Sequence, residues 1–515
     1  MSYRNIIVLK ETFKGNYNLL KPYLDFFGFA YKESDKVSDC ALIIAGDSVL
    51  EDESIMSAVK AGAGLVCFAN GGDVCATKIK VNAGHYISAL HEDGHTRALY
   101  MPMLLVGEKK LSGDVIATAG DGVLLETGEY GAGKIAYWHG TRQLSDEVLG
   151  PINGIDDLLW RSIVWAAKKP FVMQGMPPMV GLRVDDVWGA WREWNPENPL
   201  LWVEISNKYG IKPWLGIFND DMTDEIAKIA SKYVAEGNAT AFPHALSGCN
   251  WVCDDRAEVC TYLEHAVGAY TDEVMKENAT RTKAWFDKHN IPIAKYACAH
   301  YYETGANAIP YLEDWGCEFI SLQMDFDVPY RKAENWIHCG PYRKDHDGLP
   351  SGKKPVYYGD YVADGKFFNC TIEIRDVCGY EWAPTVRVEE TVNNGVTQLR
   401  RCFDSMCPGI LLTHESAWIQ RITPTRWENI LNDVTASVAN YEPMYLTVDE
   451  ICKYARAKHD ITFEELSCDG DSIELTVKGT NDMPTKCFLF AEKNGEIEQK
   501  LVDIPQITDG AKIKL

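Results

Sequence analysis

The sequence lacks any apolar run approaching the ~18 residues needed to cross a bilayer, which argues against a membrane-spanning helix. Its first residues, MSYRNIIVLKETF, hold no basic segment followed by a short apolar core, so no secretory leader is expected. Paired CxxC knuckles are also missing. The tightest cysteine group is Cys249, Cys253 and Cys260, a spacing that argues against a structural zinc site. The 16 cysteines are otherwise scattered, many inside apolar runs such as LVCFAN, where a thiol serves as a small hydrophobe. Free thiols without an export signal point to the reducing cytoplasm. Positive charge is scarce: 51 Lys and Arg stand against 74 Asp and Glu, a net charge of −23. Such a chain repels phosphate backbones and anionic surfaces, so neither nucleic acid nor membrane is an expected partner. A neutral sugar is compatible with this charge. There is no internal repeat and no low-complexity tract.

What is present is a packed, multidomain composition. The 515 residues are 46% hydrophobic and 24% charged, ample for a sizeable core. Residues 1–170 alternate strand and helix signals: IIVLK, NLLKPYLDFFG, ALIIAG, DESIMSAVKAG, LVCFAN. That alternation predicts an α/β domain with a doubly wound parallel sheet. Residues 168–179, KKPFVMQGMPPM, read as a stiff linker because Pro177 and Pro178 favour extended chain. Residues 178–455 resume the alternation, with one long helical stretch read over RAEVCTYLEHAVGAYTDEVMKENATRTKAWFDKH. The number of units predicts a (β/α) barrel. Residues 461–515, with ITFEEL, SIELTVKG, CFLFAE and AKIKL separated by turn signals, predict a small antiparallel β module. A large α/β side domain can serve as an assembly surface, which is compatible with a homo-oligomer.

Polar residues collect at the predicted C-terminal ends of strands, the edge where parallel βα folds build sites. GLRVDD ends in Asp185 and Asp186, costly after an apolar strand unless paired or on a metal. The plainer alternative is a helix N-cap. TAFPHAL carries His244, and YACAHYYETG carries His300, Tyr301, Tyr302 and Glu303, aromatic enough to wall a sugar cleft or simply to pack. GILLTHES carries His414, suited to general acid work, beside Glu415. Trp188, Trp191, Trp194 and Trp251 crowd the same loops and could stack on sugar rings, although core packing explains tryptophans equally well.

Taken in order, these strand ends resemble the polysaccharide deacetylase superfamily over roughly half of the chain. The resemblance implies hydrolysis of an N- or O-acetyl group on a carbohydrate, aided by a divalent metal such as zinc. It makes Asp185 the catalytic base, Asp186 and His244 metal ligands, and His414 the general acid. It leaves Trp188, Trp251, Tyr301, Tyr302 and Glu303 for the substrate. One departure stands out: the second metal histidine of the family, four residues after the first, is replaced by Gly248. His300 is the expected third ligand instead. Residues 1–170 are similar to the class I glutamine-amidotransferase-like fold, but the turn after the third strand, Phe68-Ala69-Asn70-Gly71-Gly72, holds no nucleophile. Cys67 lies inside the strand and Cys75 beyond the turn, which implies a non-catalytic domain.

Two other functions fit the same residues. A glycoside hydrolase would pair Asp185 or Asp186 with Glu303, Asp325, Glu373 or Glu381. A carbohydrate-binding protein would have kept the barrel without turnover.

Overall fold

In the computed structural model, four apolar segments of the N-terminal region lie side by side: Ile6–Leu9, Leu42–Gly46, Gly64–Phe68 and Gly133–Trp138. Every residue of the first three is buried, as expected of parallel strands covered on both faces. The structure describes all residues except 72–73, 92–95, 106, 141–154, 249–259, 266, 322–326, 330–367 and 370–380. The helix Tyr17–Phe27 stops at Gly28, whose left-handed backbone (φ 63°) returns its N–H to Leu24 and Asp25. The helix Glu53–Lys60 starts where the Asp52 carboxylate accepts from the Ser54 and Ile55 amides.

The purely parallel, doubly wound sheet expected here is corrected by the structure. With Tyr31–Glu33 the parallel strands number five, and the sheet continues antiparallel through Gly122–Tyr130, Val115–Ala119, Val74–Val81 and Thr96–Leu105 to nine strands. Two-residue connections, one of them at Gly131 (φ 65°), join Val115–Ala119 to Gly122–Tyr130 and that strand to Gly133–Trp138, and strands joined so closely can only run antiparallel.

The central sheet is parallel, ordered Thr240–Ala245, Pro213–Phe218, Met179–Val187, Gly409–His414, with Met444–Tyr445 added beside Met179 and Val180. Its four longer strands are almost wholly buried. Three further strands, Tyr296–Ala297, Phe319–Ile320 and Phe368–Asn369, form a separate parallel sheet of two-residue pairings. It is tied to the central sheet by a bridge between Ala241 and Ile293, just ahead of its first strand, and by the Trp214 indole, which donates to the Tyr296 carbonyl at 3.1 Å. Among the described residues these strands form an arc of parallel strands, and a closed barrel is not shown. The expected long helix is also corrected. It covers only Asp272–Lys288, begun by Thr271, because Gly268 (φ 139°) and the extended Thr271 break helical geometry upstream.

The C-terminal strands Ile461–Asp469, Ser472–Gly479, Thr485–Lys493, Glu496–Ile504 and Ala511–Lys514 are antiparallel. They recruit distant chain. Tyr3 pairs with Ser467, and Phe171–Met173 pairs with Phe488–Phe490. The segment expected as a stiff linker therefore contributes a strand, because FVM is apolar and Val172 joins the core of this module.

Candidate active site

Three parallel strands of the central sheet end at one place. Met179–Val187 delivers Asp185 and Asp186, Thr240–Ala245 delivers His244, and Gly409–His414 delivers His414 directly opposite Asp185. His300 arrives from the turn after Tyr296–Ala297. In a regular strand Asp185 and Asp186 would point to opposite faces. Here the register with the neighbouring strand slips between Val184 and Val187, and Asp186 takes a left-handed backbone (φ 58°), which Asp tolerates better than most residues. Both carboxylates thereby reach His244, whose Nε2 lies 3.5 Å from Asp185 and 3.8 Å from Asp186.

His244, His300 and Asp186 form a compact donor set. One ligand atom from each lies within 4.8 Å of the others, and His300 Nε2 is 3.8 Å from Asp186 Oδ1. The tautomer of His244 follows from its surroundings: Nδ1 faces the Cys298 carbonyl at 2.8 Å and must donate there, leaving a lone pair on Nε2. Burial pushes His244 down to about 4 and His300 well below its ordinary range, so both imidazoles are neutral donors at pH 7. His244 Nε2 and Asp186 Oδ1 are both buried without a hydrogen-bond partner. Orphaned acceptors facing one another are the arrangement a cation satisfies, so these residues fit a divalent metal.

Gly248, four residues after His244, is closed by packing. A Cβ there would lie 2.3 Å from the Phe218 ring. That ring stacks on His244 at 5.9 Å and meets His300 edge-on at 5.3 Å. Phe218 thus fills the space a histidine at 248 would need, and His300 supplies the third donor from another strand end.

Arg183 sits two residues before Asp185 and grips its carboxylate with two hydrogen bonds, 2.8 and 2.5 Å. Burial opposes the Asp185 charge, but Arg183 and His244 outweigh it and hold the carboxyl well below the usual range. Burial raises Asp186 to about 6, with His414 opposing. Ser416 Oγ donates to the other Asp186 oxygen at 3.3 Å. His414 Nδ1 is hydrogen-bonded to Glu381, which also accepts from the Trp418 indole. Burial lowers His414, yet the Asp186 carboxylate and the Glu381 bond outweigh it and raise the imidazole to about 9.

The other expected residues divide. Tyr301 is half-buried and stacks on His300 at 4.1 Å. Tyr302 is buried against the Arg183 guanidinium, 5.1 Å from its ring centre. Glu303, expected to face substrate, is only 1% exposed and lies against Cys260 and His265. Trp188 is half-buried against the core, and its backbone N–H binds Glu415. Glu415 collects the Trp188, Gly189 and Ala190 amides and the Trp202 indole, so it anchors the loop after the aspartates. Trp191 is fully buried, whereas Trp194 is 43% exposed. Trp251, Asp325 and Glu373 lie outside the described residues. Sequence reasoning missed Arg183 and Ser416, and it weighed Glu381 only as a glycosidase carboxylate. Arg183 was findable, because residues two apart share a strand face. In the N-terminal region Cys67 is fully buried, and burial pushes its thiol far above the usual range, which disfavours the thiolate at this position. Among the described residues, no helix is long and apolar enough to cross a membrane.

No family model matches the chain, and no curated protein matches it. Solved structures do. One, described as Agd3, a novel carbohydrate deacetylase, aligns over 100% of this chain and 99% of its own, with a TM-score of 0.50 and 8% identity. Another, a protein of Mycobacterium smegmatis assigned to the polysaccharide deacetylases, aligns over 55% of this chain and 92% of its own, with a TM-score of 0.32 and 10% identity. The chain therefore shares the overall fold of the Agd3 structure across its whole length.

Proposed function

We propose that the chain is a metal-dependent carbohydrate deacetylase. The observation that carries this reading is the convergence of Asp186 Oδ1, His244 Nε2 and His300 Nε2 at one strand edge, with His414 across from them. The fold shared with a protein described as a carbohydrate deacetylase supports the substrate class.

Asp186, His244 and His300 would hold a divalent cation, with zinc favoured by two neutral imidazoles and one carboxylate. When bound, such a cation supplies Lewis acidity, polarising an acyl oxygen and acidifying water. Asp185 is ionised at neutral pH and takes the proton of the attacking water as its oxygen bonds to the acyl carbon. Arg183 keeps that carboxylate charged and fixes its orientation. With Nδ1 engaged by Glu381, His414 presents Nε2–H, and this proton passes to the sugar nitrogen or oxygen as its bond to the acyl carbon breaks. An imidazole raised to about 9 stays protonated at neutral pH, as an acid requires. Tyr301, stacked on His300, and the half-buried Trp188, two residues after Asp186, would be the side chains to touch a sugar.

Acetate release from N- and O-acetylated oligosaccharides tests this reading. We expect release that a chelator abolishes and zinc restores. Release indifferent to chelator, or sugar binding with no turnover by metal-loaded protein, would overturn it.

A further inference from the structure

We propose that Cys260, His265 and Glu303 form a second divalent-cation site, thiophilic in character and suited to zinc, set behind His300. It uses none of the residues assigned to the first centre and stands independently of the deacetylase reading.

The three donors come from two segments. Cys260 and His265 lie in the irregular chain before Thr271, where Glu264 bridges to Gly268. Glu303 follows His300 by three residues, across a turn in which Tyr301 and Tyr302 both have left-handed backbones (φ 54° and 60°). That turn sends the two side chains to different places. His300 Nε2 faces Asp186, while the Glu303 carboxylate lies 3.0 Å from His265 Nδ1 and 3.8 Å from Cys260 Sγ. One ligand atom from each of the three lies within 4.8 Å of the others. Tetrahedral zinc, with a metal–sulfur distance of about 2.3 Å and metal–nitrogen or metal–oxygen distances of about 2.0–2.2 Å, separates its donors by roughly 3.3–3.6 Å. The observed spacings bracket that range.

Burial and chemistry point the same way. Cys260 is 2% exposed and Glu303 is 1% exposed, while the His265 side chain keeps 18% of its surface, which leaves an approach from one side. A carboxylate, an imidazole and a thiol gathered in a largely buried cluster suit a borderline-soft cation. The bland account is a hydrogen-bonded trio in which His265 and the Cys260 thiol both donate to Glu303. It accommodates the 3.0 Å contact well and the 3.8 Å sulfur contact at the limit of such bonds.

The two sites would communicate through one ring. Cys260 Sγ lies 3.9 Å from His300 Nδ1. A metal-bound thiolate accepts from Nδ1–H and so leaves the Nε2 lone pair toward Asp186, the outer-shell control that orients ligating histidines.

Cobalt titration of the metal-stripped full chain tests the proposal, because the first centre has no sulfur ligand. We expect two cobalt ions per chain and a near-ultraviolet thiolate-to-cobalt charge-transfer band. Cys260→Ser and, separately, His265→Gln should each lose the band and one ion while keeping the other, with far-ultraviolet dichroism confirming the fold. Asp186→Asn should lose one ion and keep the band. A wild-type chain that binds a single cobalt with no thiolate band would overturn the proposal, as would a band that survives Cys260→Ser. Failure of the first centre alone would appear differently, as a band with one ion in wild-type protein.

Discussion

Glu381 holds Nδ1 of His414 by a hydrogen bond, although the two residues stand 33 positions apart in the chain. Together with the Asp186 carboxylate it keeps the imidazolium stable to about pH 9 against the cost of burial. For an acid whose folded pKa is raised, the protonated form is complete well below that value and disappears as pH rises through it. Replacing Glu381 with Gln removes one of the supports. The alkaline limb of kcat/KM should move to lower pH in Glu381→Gln, measured as a pH–rate profile. An unmoved limb would show that His414 is not the acid.

Asp186→Asn keeps the shape of the side chain and removes its charge, while His244→Ala removes a lone pair that the Cys298 carbonyl fixes in place. Each should lower metal occupancy and reduce kcat/KM by at least about 100-fold, more than loss of an outer-shell partner costs. Elemental analysis beside steady-state kinetics checks both.

Gly248→His would restore the spacing of the family pattern, but the new Cβ meets the Phe218 ring at 2.3 Å. Overpacking of this kind costs about 1–3 kcal/mol. The variant should therefore be less stable in denaturant titration and gain no metal affinity. Smaller gain-of-space variants at Phe218 should relieve the stability loss.

Lys458 is buried and donates to the Phe26 carbonyl, and burial pushes its ammonium down to about 7. The folded pKa lies below the unfolded value of about 10.4, so the unfolded chain binds more protons between those limits. The cost of the buried charge is full below pH 7 and fades as pH rises toward 10. Stability should accordingly rise over that window in the wild type, and the rise should flatten in Lys458→Met. Denaturation midpoints from pH 6 to pH 10 measure the slope.

Much of the site was legible because its chemistry is local. Apolar strands that end abruptly in Asp185-Asp186, His244 and His414 announce a functional edge, since a buried strand does not otherwise tolerate such residues at its end. Period-two spacing placed Arg183 on the face of Asp185, had it been sought. The sequence by itself therefore determined the alternating α/β character of the chain, the strand ends where carboxylates and imidazoles collect, and a glycine four residues after His244. The tertiary structure alone decided that the N-terminal sheet turns antiparallel, that Tyr3 pairs with Ser467, and that Phe171–Met173 is a strand rather than a linker. It also decided that Glu381 hydrogen-bonds His414, that the Phe218 ring closes the space beside Gly248, and that Glu303 lies against Cys260 and His265. Those relations join residues tens to hundreds of positions apart. Hydrophobic periodicity reports which face of one segment is buried, and it carries no information about which other segment covers it.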